Sequence, residues 1–242
     1  MNIYAIADLH LAISVPDKSM GLFGKAWDNY MERLEQNWRE ICKDEDVIII
    51  PGDISWAMNV KDMYEDLFFL EKLPGTKILL KGNHDYWWET AAKLEKFKEE
   101  HNLTKIFFIH NNNYKAGNIA ICGNRGWINP DDKKFTEEDM KLYKRELMRF
   151  QFSIESAVNE GCKDIIAATH YSPFSLKSDE HCEYIEILKK YEIKQCVFGH
   201  IHKSGYQFEM WKDKAEKLSE KHKIDFRIVS ADFLEFRPLK LL

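Results

Sequence analysis

Seven short apolar runs punctuate the chain, at residues 2–7, 46–50, 76–80, 105–109, 118–122, 164–169 and 194–198. They are almost continuously Ile, Val, Leu, Phe or Ala instead of alternating with polar residues, which is the pattern of a strand covered on both faces. Stretches with helical spacing lie between several of them. Trp27, Met31, Leu34, Trp38 and Ile41 step by 4, 3, 4 and 3, one face of a helix. Met140, Tyr143, Leu147, Phe150, Ile154 and Ala157 repeat the pattern behind Thr136-Glu137-Glu138-Asp139, which reads as a cap with an acidic first turn. Further helices are predicted near 60–72, 86–100 and 181–190. Strand and helix alternating in this way predict an α/β fold, with helices on the sheet faces and ligands at the carboxyl edge of the strands.

What the runs deliver to that edge is specific. Five of them lead into Asp8-Leu9-His10, Gly52-Asp53, Gly82-Asn83-His84-Asp85, His170 and Gly199-His200-Ile201-His202. Glycine before a ligand-type residue permits a tight turn and close backbone approach. A carboxylate such as Asp53 can bridge two cations, and the amide oxygen of Asn83 is a neutral hard ligand. Carboxylate and amide oxygens mixed with imidazole nitrogens suit borderline divalent cations, Mn first and Fe, Zn or Co as alternatives, better than Ca or Mg. Two such ions carry +4 against two aspartates, leaving roughly +2 to attract a phosphate dianion. They would also bring the pKa of a shared water toward ~7 and stabilise charge on phosphoryl oxygens. His84 is the candidate proton donor to the departing oxygen, with Asp85 placed to orient or charge-stabilise its ring. Arg125, in Gly123-Asn124-Arg125-Gly126-Trp127, is a candidate clamp for a phosphate oxygen or, equally, a loop salt bridge.

Other features read as structural. His101, His110, His181 and His222 lack the motif context, and Asn111-Asn112-Asn113 behind His110 reads as a turn. Trp56, Trp87 and Trp88 flank two motifs; packing on the sheet is favoured over stacking on a substrate. Ser172 follows His170 closely but sits in no nucleophile elbow. Residues 11–26 read as a plain connection, with a loop over the site as the alternative, and Lys212 to Lys223 as an exposed charged excursion. Residues 226–236 read as a closing strand pair.

Composition narrows the partners. The balance of 35 basic against 40 acidic residues gives −5, so a long nucleic acid is not expected without a basic stripe. A phosphate ligand would then need its own local positive charge. Cys42, Cys122, Cys162, Cys182 and Cys196 form no C-x-x-C pair and read as reduced, structural thiols of a cytoplasmic protein. No apolar stretch is long enough to span a membrane, and no leader pattern opens the sequence. With no linker-like tract, 1–242 reads as a single domain, 11–40 and 128–160 being candidate substrate-shaping insertions. Oligomeric state is left open.

The ordered series D-x-H, G-D, G-N-H-[DE], a lone His and G-H-x-H, spanning residues 8–202, resembles the calcineurin-like metallophosphoesterase family. The resemblance implies a four-layer α/β/β/α sandwich of two mixed sheets and hydrolysis of phosphate mono- or diesters. It also implies that Asp8, His10, Asp53 and His202 hold one metal, and that Asp53, Asn83, His170 and His200 hold the other. Asp53 is then the bridge and His84 the leaving-group acid. Two alternatives stand beside it. One is a scaffold that keeps the fold without turnover. The other is an all-helical metal phosphohydrolase, in which His84-Asp85 would be an HD-type dyad.

Overall fold

The computed structural model describes residues 1–18, 20–178, 183–203 and 207–242; His181 and Cys182 lie outside the described residues. The first half runs β1 (Ile3–Ala5), α1 (Tyr30–Ile41), β2 (Val47–Pro51), α2 (Tyr64–Lys72), β3 (Thr76–Leu80), α3 (Ala91–Glu100) and β4 (Ile106–Phe108). The second runs β5 (Asn113–Ala116), β6 (Ile119–Asn124), α4 (Glu137–Asn159), β7 (Asp164–Thr169), α5 (Glu183–Lys190), β8 (Gln195–Phe198), α6 (Phe208–His222), β9 (Asp225–Ile228) and β10 (Leu239–Lys240). Two five-stranded sheets result, ordered β10-β1-β2-β3-β4 and β5-β6-β7-β8-β9. Each is parallel except for one antiparallel edge strand, β10 on β1 and β5 on β6. This is the expected sandwich of two mixed sheets between helices, and it removes the all-helical alternative.

The unbroken apolar runs are explained by three hydrophobic layers. Side chains two apart point the same way along a strand. Ile3 and Ala5, Val47 and Ile49, Ile78 and Leu80, and Ile166 and Ala168 fill the space between the sheets. The residues between them turn outward. Ile48, Ile50 and Leu79 pack on Leu34, Trp38, Leu67 and Leu94 of α1–α3. Ala167, Cys196 and Phe198 pack on Phe150, Ile154, Leu188 and Leu218 of α4–α6. The sheets are stitched at one margin, where Ala7 N donates to Val229 O at 2.7 Å and Ala231 N to Ala7 O at 2.8 Å.

The Thr136 cap is realised as a full capping box: Asp139 N donates to Thr136 Oγ1 at 3.2 Å, and Thr136 N to Asp139 Oδ2 at 2.9 Å. Three readings change. Lys212 to Lys223 is no excursion but the body of α6, which buries Phe208, Ala215 and Leu218. A window opened at Lys212 leaves out Phe208 and Trp211, the residues that complete the apolar face. The closing pair is divided between sheets: β9 joins the second and β10 the first, with the chain turning away between them. β5, too polar to stand out, pairs with β6 along the edge. The described cysteines, Cys42, Cys122, Cys162 and Cys196, are free thiols, and all but Cys162 are buried. Among the described residues no helix is long and apolar enough to cross a membrane.

Candidate metal centre

The motif residues converge at the carboxyl ends of β1, β2, β3, β7 and β8. Asp8, His10 and His202 offer ligand atoms that all lie within 4.8 Å of one another, and Asp53, His170 and His200 form a second such group. Asn83 joins the second, its Oδ1 2.7 Å from His170 Nε2. Asp53 ties the groups together: Oδ1 is 3.5 Å from His170 Nε2 and Oδ2 is 3.8 Å from His10 Nε2.

The backbone is bent to make this possible. Asp8, His10, Asp53 and His200 have φ of 56°, 46°, 50° and 68°, a left-handed conformation that costs a non-glycine residue ~1–3 kcal/mol. Strain at four of seven convergent side chains marks a site held by its surroundings. The loop after β1 runs alongside the loop after β2, with Asp8 N on Gly52 O at 3.0 Å, His10 N on Asp53 O at 3.0 Å and Leu11 N on Ile54 O at 2.9 Å. The Asp8 carboxylate accepts His200 N at 2.9 Å, and Asp53 Oδ1 accepts His84 N at 2.8 Å. Gly82 must be glycine, because a β-carbon there would fall on the Asp53 backbone and carboxylate.

The donor chemistry fits cations. His170 Nδ1 lies 3.0 Å from the Pro51 carbonyl, which can only accept. Nδ1 therefore carries the proton, and Nε2 turns its lone pair toward Asn83 Oδ1 and Asp53 Oδ1. Three acceptors aimed at one point require a positive centre among them. His10 Nδ1 is buried with no hydrogen-bond partner among the described residues. Burial raises the pKa of both Asp8 and Asp53, and no lysine or arginine pairs with either among the described residues. Burial and neighbouring imidazoles hold His10 and His200 well below the ordinary histidine value and His170 at about 3, in the neutral form that ligates metal.

His202 differs. Burial alone would lower it, but Asp232 Oδ1 lies 3.2 Å from its Nδ1, and with Asp8 and Asp53 this raises it to about 9. Asp232 is buried and also accepts Lys203 N at 2.8 Å. A carboxylate behind a ligand imidazole fixes its tautomer and leaves the other nitrogen for the metal. The sequence reading missed Asp232. The available signal was the order seen at Asp8, an apolar run ending in an aspartate, here Ile228-Val229-Ser230-Ala231-Asp232.

The neighbouring predictions resolve unevenly. Asp85 makes no hydrogen bond to the His84 ring among the described residues. Its buried carboxylate accepts Gly82 N at 2.7 Å, Ile54 N at 2.9 Å and Trp87 Nε1 at 3.0 Å, clasping the loops after β2 and β3. Trp87 and Trp88 are buried as packing residues, whereas Trp56 stacks on His10 with ring centres 4.8 Å apart. Trp56 lines a cavity of about 230 Å³ with Met20, Phe23, Trp27, His10, His84 and His202. Met20 and Phe23, in a segment of short 3-10 turns over 16–18, 20–23 and 25–27, thus bring that connection against the site. His101 packs on Tyr64 and Phe97, as a structural histidine should. Ser172 Oγ donates to Phe174 O at 2.9 Å. The Arg125 guanidinium lies 4.2 Å from the centre of the Trp127 ring.

Residues 1–204 match the family model described as calcineurin-like phosphoesterase; the chain belongs to that family. Of individual relatives, an uncharacterized protein of Methanocaldococcus jannaschii is 29% identical over 110 residues, 46% of this chain and 58% of that protein. The chain thus spans little more than half the length of that relative. A crystal structure of a protein of unknown function from Aquifex aeolicus is similar over 99% of this chain and 95% of that one, with a TM-score of 0.52 and 16% identity. At that identity the likeness speaks for the fold.

Proposed function

We propose that the chain is a phosphoesterase acting on small phosphate mono- or diesters, with two divalent transition metals, manganese foremost. Asp8, His10 and His202 hold one, Asn83, His170 and His200 the other, and Asp53 is shared. The observation that carries this reading is the pair of donor groups meeting on one carboxylate with no lysine or arginine paired to them among the described residues. Bound ions of that kind activate a water near neutral pH and neutralise developing phosphoryl charge.

The chain's own residues supply the rest. His84 lines the aromatic cavity, so an ester bound with its leaving oxygen toward that cavity presents it to the one imidazole there not assigned to metal. His84 gives that oxygen a proton. Trp56, Phe23 and Met20 shelter that oxygen from water, a substrate-shaping role for the 11–40 insertion. Asp85 acts through position, fixing the loops that carry Asp53 and Asn83. Arg125 contacts a phosphate oxygen of the substrate. The free thiols accord with a cytoplasmic home.

The test is reconstitution. Protein stripped with EDTA and reloaded with Mn²⁺ is assayed on 4-nitrophenyl phosphate and bis(4-nitrophenyl) phosphate. Activity lost on stripping and regained on loading is expected. Activity indifferent to chelation contradicts the reading, and metal-loaded protein inert on every ester supports the scaffold alternative.

A further inference from the structure

A second cavity, of about 440 Å³, opens at the same carboxyl edge, one strand outward from the metal groups in each sheet. Lys81 after β3, His110 after β4 and Arg125 after β6 contribute to its wall, and Arg145, Glu146 and Arg149 close it from α4. The cavity adjoins the metal centre through the backbone. Lys81 is two residues from Asn83, and the Arg125 carbonyl accepts His170 N at 3.1 Å and Tyr171 N at 2.9 Å.

Its charges do not balance internally. Buried Glu146 lies 3.0 Å from Arg149 Nη1 and 3.8 Å from Arg145 Nε, and is already shared between them. Glu89, the other carboxylate of the wall, pairs with Lys93 at 3.0 Å. Lys81 and Arg125 are left without an ion pair or a side-chain hydrogen bond among the described residues. Both are half-buried. In a chain of net charge −5, half-burying two cations without a carboxylate partner in one cavity is unfavourable unless an anion joins them, even with Arg125 stacked on Trp127. The positive groups line one cavity instead of a stripe along the surface, which favours a small anion over a polymer.

We propose that this cavity binds a second phosphate group of the same small molecule whose ester is hydrolysed, making bisphosphorylated metabolites the preferred substrate class. The proposal rests on the phosphoesterase reading above. Lys81 and Arg125 contact the second phosphate while the scissile one lies at the metal groups, and the 128–160 insertion serves to bring Arg145 and Arg149 over it.

Two measurements test it. The first is titration calorimetry of inorganic phosphate into EDTA-stripped protein, which removes metal ions as competing ligands for phosphate. Binding is expected, weakened about tenfold by Lys81→Gln, the loss of one charge-assisted contact, and restored by Lys81→Arg. The second compares kcat/KM of Mn²⁺-loaded protein for fructose 1,6-bisphosphate and fructose 6-phosphate. The ratio should favour the bisphosphate and fall about tenfold in Lys81→Gln. If esters are hydrolysed without preference and phosphate binding is absent or indifferent to Lys81→Gln, the anion site is overturned and the phosphoesterase reading stands. If no ester is hydrolysed while phosphate binding follows Lys81, the phosphoesterase reading falls and the anion site stands.

Discussion

Nε2 of His170 lies 3.5 Å from Asp53 Oδ1, and the other oxygen of the same carboxylate reaches to 3.8 Å from His10 Nε2. Asp53 thus lies between the two donor groups, and in the bridging role proposed for it its loss should be felt by both. In Asp53→Asn the bound metal, measured by ICP mass spectrometry after dialysis, is expected to fall below two ions per chain. Turnover should drop by at least about 100-fold, the upper range seen when even an indirect partner of a metal site is removed. Two retained ions with ordinary turnover would remove the bridging role.

Asp232 tests a subtler dependence. It touches His202 but belongs to neither donor group, so it should act only through the imidazole it orients. Asp232→Asn is expected to weaken one of the two Mn²⁺ affinities by about 10–100-fold and leave the other nearly unchanged. Calorimetric titration of the stripped protein separates the two. Equal weakening of both sites would mean that the substitution disturbs the fold where Ala7 meets residues 229–231, instead of the His202 ring.

These two aspartates also show what the sequence could reveal. Asp53 was legible because strands buried on both faces leave unbroken apolar runs, and each run stops where the polar edge begins. The seven candidate ligands stood out against that background. Asp232 follows a similar run but brings no glycine or second ligand with it, and its partner lies 30 residues away in the chain. The role of Asp85 was misread for a related reason: adjacency to His84 suggested contact, whereas the turn directs the carboxylate inward to three backbone amides and an indole. Helix α6 was hidden by its seven charged residues between Lys212 and Lys221, which cover a narrow apolar stripe. Neither cavity was visible at all. Each is walled by side chains from several distant elements, and periodicity reports only which face of an element is covered.

His84 provides a prediction that separates chemistry from binding. In His84→Gln both metal groups keep their ligands, so metal content should stay at the wild-type value. Esters with poor leaving groups need the proton most and should slow by about 10²–10⁴-fold, while activated aryl esters slow far less. A series of aryl phosphates of graded leaving-group pKa measures this as a steeper dependence of log kcat on that pKa. An unchanged slope with uniform loss would assign His84 to positioning alone.

Lys77 gives a prediction about stability that is independent of the metal centre. It lies in β3 with its side chain fully buried, and Nζ donates to Leu73 O at 2.8 Å and Gly75 O at 2.7 Å. Burial lowers its pKa from 10.5 to about 7. Between these values the unfolded chain holds a proton that the folded chain has released, so raising the pH favours the folded state, by up to ~1.4 kcal/mol per unit. Below about 7 both states are protonated and the dependence levels off with the ammonium buried at full cost; above 10.5 both are neutral and it levels off again. Urea unfolding of stripped wild type and Lys77→Met at pH 7, 8, 9 and 10 isolates this group, because shifts elsewhere cancel in the difference. The stability of wild type relative to the variant should rise across the series. A flat difference would mean that the two carbonyls, at the end of α2 where the helix dipole favours a cation, keep Lys77 charged throughout.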